Sequence, residues 1–128
     1  MYDIIIIGAG PAGLSASIYA KRSNKSVLVL EMASYGGQII NSSDVENYPG
    51  YSHISGYDLS VNIYNQMIET GAEYKCEKVK KIEIGRGRKI VLTDKNKYIG
   101  KTVIIATGKE NRKLGLDNED KFIGSGVS

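Results

Sequence analysis

The sequence predicts an α/β fold: parallel strands alternating with helices, with a small antiparallel β insertion between residues 72 and 100. Three features predict it. An apolar run over Tyr2–Ile7 leads into a glycine-rich turn and then a helix-spaced segment. A second apolar run at residues 27–30 closes a strand–helix–strand unit about 30 residues long, the usual length for such a unit. Between residues 72 and 92 the pattern changes to alternation, the mark of strands with one wet face.

Each element has its own reason. The first strand is almost entirely β-branched, which suits a strand covered on both faces. Gly8-Ala9-Gly10-Pro11-Ala12-Gly13 then turns the chain, and Pro11 has its φ preset for a first helical turn. Ala12, Ala16 and Ala20 recur every four residues and predict a smooth helix stripe lying against the sheet. The helix should end within residues 21–24, where basic residues and Asn24 suit a C-terminus. The second strand ends at Glu31. Residues 32–56 show neither period and predict a long functional loop. Helical spacing returns at Leu59, Ile63 and Met67, with Tyr64 and Ile68 beside them and Gly71 as the stop. Val79, Ile82, Ile84, Ile90 and Leu92 predict short antiparallel strands around Gly85-Arg86-Gly87, with a second turn at residues 94–97. A last apolar run, residues 102–106, ends in Thr107-Gly108.

Composition narrows the function. The chain has 128 residues, and 17 Lys and Arg against 14 Asp and Glu leave a net charge of +3. That is too mild to point to nucleic acid or a membrane surface as a partner. No apolar run approaches the roughly 20 residues of a membrane span, and the run at the start is too short for a signal peptide, so a cytoplasmic protein is expected. Cys76 and His53 are the only residues of their types. One thiol excludes a disulfide, a CxxC pair or a multi-thiolate metal site within these residues, and no metal site is expected. Cys76 alternates with Tyr74 and is expected as a half-buried hydrophobe. His53 is expected on the surface, and the groups Lys78, Lys80, Lys81 and Arg86, Arg88, Lys89 on solvated strand faces.

Gly8, Gly10 and Gly13 form a G-x-G-x-x-G motif that follows a strand and opens a helix, the context a dinucleotide site requires. Gly8 allows the tight turn, Gly10 lets backbone approach a pyrophosphate, and Gly13 permits close helix–strand packing. The free N–H groups of the helix N-terminus would face the phosphates. Glu31 stands 18 residues after Gly13, where a carboxylate can accept hydrogen bonds from ribose hydroxyls and would repel the 2′-phosphate of NADP.

Taken together, these residues resemble the FAD site of the two-dinucleotide-domain flavoprotein disulfide reductases. Gly36-Gly37-Gln38, Glu46-Asn47-Tyr48-Pro49-Gly50 and Ala106-Thr107-Gly108 resemble, in order and spacing, the bacterial-type, low-molecular-weight thioredoxin reductases. Gly124-Ser125-Gly126-Val127-Ser128 resembles that family's lead-in to its redox cysteines. The resemblance implies a Rossmann-like FAD domain, incomplete relative to the family, over residues 1–115, with residues 116–128 starting a linker toward an NADPH and dithiol domain. It implies FAD contacts from the backbone of Gly36 and Gly37, the amides of Gln38 and Asn47, and the strand end at Thr107 and Gly108. Pro11 and Ala12 belong to the phosphate turn, and Val79 matches the family's backbone contact to adenine.

The family reaction passes electrons from NADPH to FAD, to an enzyme dithiol, to thioredoxin. This chain carries neither the CxxC nor the NADPH site, so no residue is assigned a catalytic role and the chain alone is expected to be inactive. A homodimer or self-association is expected. Two further readings stay open: the FAD part of a thioredoxin-reductase-like ferredoxin–NADP reductase or of an alkyl hydroperoxide reductase flavin subunit, and a stand-alone, non-catalytic nucleotide-binding module.

Overall fold

The structure, a computed structural model, describes residues 1–110, 112–113, 115 and 117–122. Among the described residues, six strands and three α-helices follow in order: β1 Tyr2–Ile7, α1 Pro11–Arg22, β2 Val27–Glu31, α2 Gly56–Glu69, β3 Glu73–Cys76, β4 Val79–Gly85, β5 Arg88–Thr93, β6 Lys97–Ile105 and α3 Glu119–Phe122. A 3-10 helix, Gly37–Asn41, lies between β2 and α2. The strands form one sheet in the order β3-β2-β1-β6-β5-β4.

The sheet is parallel on one side and antiparallel on the other. β1 pairs in parallel with β2 and β6, and β2 with β3; β5 runs antiparallel to β6 and β4. The expected antiparallel part therefore starts at Val79 and not at residue 72. Alternation at Glu73–Cys76 announces a strand, but period 2 is blind to the direction of the partner. β6 begins earlier than the apolar run at residues 102–106, because Lys97, Tyr98, Ile99 and Gly100 pair with β5 before the strand passes on to β1. One strand thus joins the two halves.

The core lies on both faces of the sheet. Ile6, Val27 and Val29 meet Leu14 and Ile18 of α1 and Leu59, Ile63 and Met67 of α2 on one face. Ile5, Ile7, Leu28, Leu30 and Val91 cluster on the other. Every residue of β2 but the last is buried, as its apolar run predicts. The alanine stripe is corrected at one end. Ala20 is buried and Ala16 packs against the core, but Ala12 is exposed. Gly13, Leu14, Ser17 and Ile18 face inward instead, and helical geometry turns Ala12 away from that face.

Residues 32–56 are more ordered than a plain loop. Besides the 3-10 helix, Val45 and Ile54 form an antiparallel bridge with N···O distances of 2.7 and 3.2 Å. Ser55 caps α2, its Oγ accepting from the Asp58 N–H at 3.0 Å. Gly71, with φ +77°, ends the helix as expected. Cys76 is a correction: it is exposed, and its Sγ donates to the Ala33 carbonyl at 3.0 Å. It stands at the last position of β3, an edge strand.

Candidate functional site

Three parallel strands end side by side at one edge. The Gly8 N–H donates to the Leu30 carbonyl, and the Ala106 N–H to the Ile7 carbonyl, both at 2.8 Å. This brings the fingerprint turn, Glu31 and Thr107-Gly108 to the carboxyl edge, where open α/β sheets bind ligands.

The three fingerprint glycines are not equivalent. Gly8 has φ +104°, and a Cβ there would run into the Ala106 carbonyl. At Gly13 a Cβ would run into the Gly8 carbonyl. Both glycines are therefore demanded by the chain's own packing. Gly10 is not: its φ is an ordinary −74°, and the nearest atom to a Cβ would be the Gly37 Cα at 3.9 Å. The space a side chain at Gly10 would fill is left open by the protein, above the first turn of α1. That turn has no side-chain cap and no acidic residue, while Lys21 and Arg22 lie at the far end. Its N–H groups and dipole favour an anion.

Glu31 knits the turn to the strand. One carboxylate oxygen accepts from the Ala9 N–H at 2.8 Å and the other from the Ala33 N–H at 3.1 Å. A carboxylate has about four acceptor positions, so each oxygen keeps capacity for a further donor. Gly36 donates its N–H to the Ala9 carbonyl at 2.8 Å, and its φ of +106° and the nearby Ser60 hydroxyl leave no room for a side chain. Gly36 thus locks the loop to the fingerprint turn. Gly37 lies against Gly10. Gln38 reaches across the edge, its Nε2 donating to the Lys109 carbonyl at 2.5 Å. Pro11, Ala12, Thr107 and Gly108 lie at this same edge. Asn47 is exposed and borders a shallow depression of about 430 Å³ with Ile39 and Glu46. Val79 opens β4, with its side chain packed against the second core cluster. Gly124-Ser125-Gly126-Val127-Ser128 lies outside the described residues.

Glu77 is the residue that sequence reasoning missed. It is 7% exposed, and its N–H donates to the Glu31 carbonyl at 2.8 Å, beside the site. Burial pushes its carboxyl up, but hydrogen bonds from Thr93, Tyr98 and Asn96 together outweigh burial and hold it below the ordinary range. Tyr98 responds in the opposite sense: burial and the bond to Glu77 push it up to about 12. No sequence signal marks a buried carboxylate whose three donors lie 16 to 21 residues away.

The edge geometry and the glycine cradle define a Rossmann-like, dinucleotide-binding α/β domain. The sequence model of the pyridine nucleotide-disulphide oxidoreductases matches residues 2–128, and the chain belongs to that family. It is 43% identical over 128 residues to the thioredoxin reductase of Bacillus subtilis, covering all of this chain and 40% of that protein. It superposes on thioredoxin reductase from Lactococcus lactis with a TM-score of 0.90 at 39% identity, over 97% of this chain and 41% of that one. A ferredoxin-flavin thioredoxin reductase from Clostridium acetobutylicum gives 0.78 at 35% identity, over 99% of this chain and 44% of that one. The chain therefore spans about two fifths of the length of these relatives. Among the described residues, no helix is long and apolar enough to cross a membrane.

Proposed function

We propose that this chain is the FAD-binding portion of a thioredoxin-disulfide reductase. The observation that carries this reading is Gly10, the one fingerprint glycine that the chain's own packing does not require. A pyrophosphate supplies the missing reason, since only a hydrogen at that position lets phosphate oxygens reach the N–H groups behind it. The flavin, when bound, would accept and pass on electrons. This chain's residues do the holding. Gly8, Gly10, Pro11, Ala12 and Gly13 form the phosphate turn. Glu31 accepts from the ribose hydroxyls with its remaining lone pairs. Gly37, Gln38, Asn47, Thr107 and Gly108 surround the ring and ribityl end, with Gly36 holding that loop in place. Val79 offers backbone to the adenine. On this reading residues 1–115 are the FAD domain and residues 116–128 start the link to an NADPH and dithiol domain. The whole protein would pass electrons from NADPH to thioredoxin and would act as a homodimer.

The likeness to the ferredoxin-flavin enzyme favours a second reading, in which ferredoxin replaces NADPH as donor. Assays of the whole protein with each donor separate the two. The cofactor reading is tested by titrating this chain and Gly10→Val with FAD and following flavin fluorescence. The wild-type chain should bind and the variant should not; equal affinity defeats the reading.

A further inference from the structure

Away from the cofactor edge, the segment after the 3-10 helix gathers a set of side chains that the flavin reading does not use. Val45 is buried and bridges Ile54, so strand geometry puts Asp44 and Glu46, its two neighbours, on the outer face. His53, the neighbour of Ile54, projects from the same outer face. The His53 Nδ1 lies 2.9 Å from Asp44 Oδ2 and 3.8 Å from Glu46 Oε1. All three ligand atoms lie within 4.8 Å of one another.

We propose that Asp44, Glu46 and His53 form a binding site for a divalent transition metal, zinc in particular. The His53 ring nitrogen that meets Asp44 at 2.9 Å leaves Glu46 Oε1 at 3.8 Å, beyond a hydrogen bond from the same atom. A cation in front of Nδ1 engages all three groups at once. The spacing suits it: metal–ligand bonds of about 2.0–2.2 Å place neighbouring atoms of a tetrahedral shell about 3.3–3.6 Å apart, between the two separations found here. One imidazole and two carboxylates are a donor set that zinc accepts. All three residues are exposed, so the ion enters from solvent and water completes its shell. The depression of about 430 Å³ beside Asp44 and Glu46 leaves room for that water. Bound there, the ion would staple the bridge next to Asn47.

The test is titration of the chain with Zn²⁺ by calorimetry, and with Co²⁺ by visible absorption. One equivalent should bind, with the intense Co²⁺ band of a tetrahedral site. His53→Ala and Asp44→Asn should each weaken binding more than about tenfold. Cys76→Ser, which removes the only thiol, should leave it unchanged. His53 is the only histidine, so its imidazole NMR signals report the site in the unmodified chain and should shift with the first equivalent of Zn²⁺. Unmoved His53 signals, no saturable binding, or binding lost in Cys76→Ser and kept in His53→Ala would overturn the proposal.

Discussion

Two glycines five positions apart in one turn, Gly8 and Gly13, serve the chain's own packing, while Gly10 between them would serve a ligand on the proposed reading, and substitution should separate these roles. Gly13→Ala drives a methyl into the Gly8 carbonyl and should cost about 1–3 kcal/mol of stability. Gly10→Ala meets nothing closer than 3.9 Å and should leave stability within about 0.5 kcal/mol, while FAD affinity falls. Urea unfolding without cofactor, set beside FAD titration, checks both; a Gly10→Ala chain as unstable as Gly13→Ala would contradict the assignment. Glu77 makes a pH-dependent prediction. Its folded pKa is depressed, so its contribution is present above the unfolded value of about 4.3 and is lost as pH falls through the folded value. Glu77→Gln should therefore flatten the fall in stability below about pH 4.5. Urea midpoints measured between pH 7 and pH 3 would show it, and parallel curves for the two proteins would refute it.

At the scale of elements, the loop of residues 32–56 depends on how α2 begins. Ser55 caps the helix, and at Gly56 a Cβ would strike the Ile39 carbonyl, so the 3-10 helix and α2 meet backbone to backbone. Ser60 then fills the space beside Gly36, its hydroxyl donating to the Gly56 carbonyl at 2.7 Å. Ser55→Ala should cost about 0.5–2 kcal/mol, read as a lower thermal midpoint with an unchanged fold by circular dichroism. The helix spacing at Leu59, Ile63 and Met67 and the stop at Gly71 were legible because each is a local pattern. The contact of Gly56 with Ile39 was not, since it joins residues 17 apart in sequence by a packing accident of two short elements.

For the whole molecule, the sheet leaves two edges, β3 and β4, with Ile84 on β4 81% exposed and Ile105 at the end of β6 67% exposed. Bare sheet edges and exposed apolar side chains each recruit other chains. The isolated 128 residues should therefore self-associate, and Ile84→Lys with Ile105→Lys should lower the mass seen by light scattering; a strictly monomeric wild-type chain would contradict this. With a single cysteine, the chain should not reduce thioredoxin with NADPH when FAD is supplied. Turnover above background, with contaminating reductase excluded, would refute the argument from the absent dithiol.

The sequence by itself determined the parallel strand–helix–strand unit, the glycine-rich turn, the helices α1 and α2 and the antiparallel pair at the far side. All of these rest on periods and turn residues that act within a few positions. Only the tertiary structure decided which strand pairs with which, so that Glu73–Cys76 extends the parallel half and β6 serves both halves. It also decided that Ala12 faces water, that Cys76 is exposed, that Gly36 and Gln38 are tied to Ala9 and Lys109, and that Glu77 is buried. The reason is common to all of these. Burial and long-range hydrogen bonding depend on what the rest of the chain brings alongside, and a local pattern records a residue's period but not its neighbours.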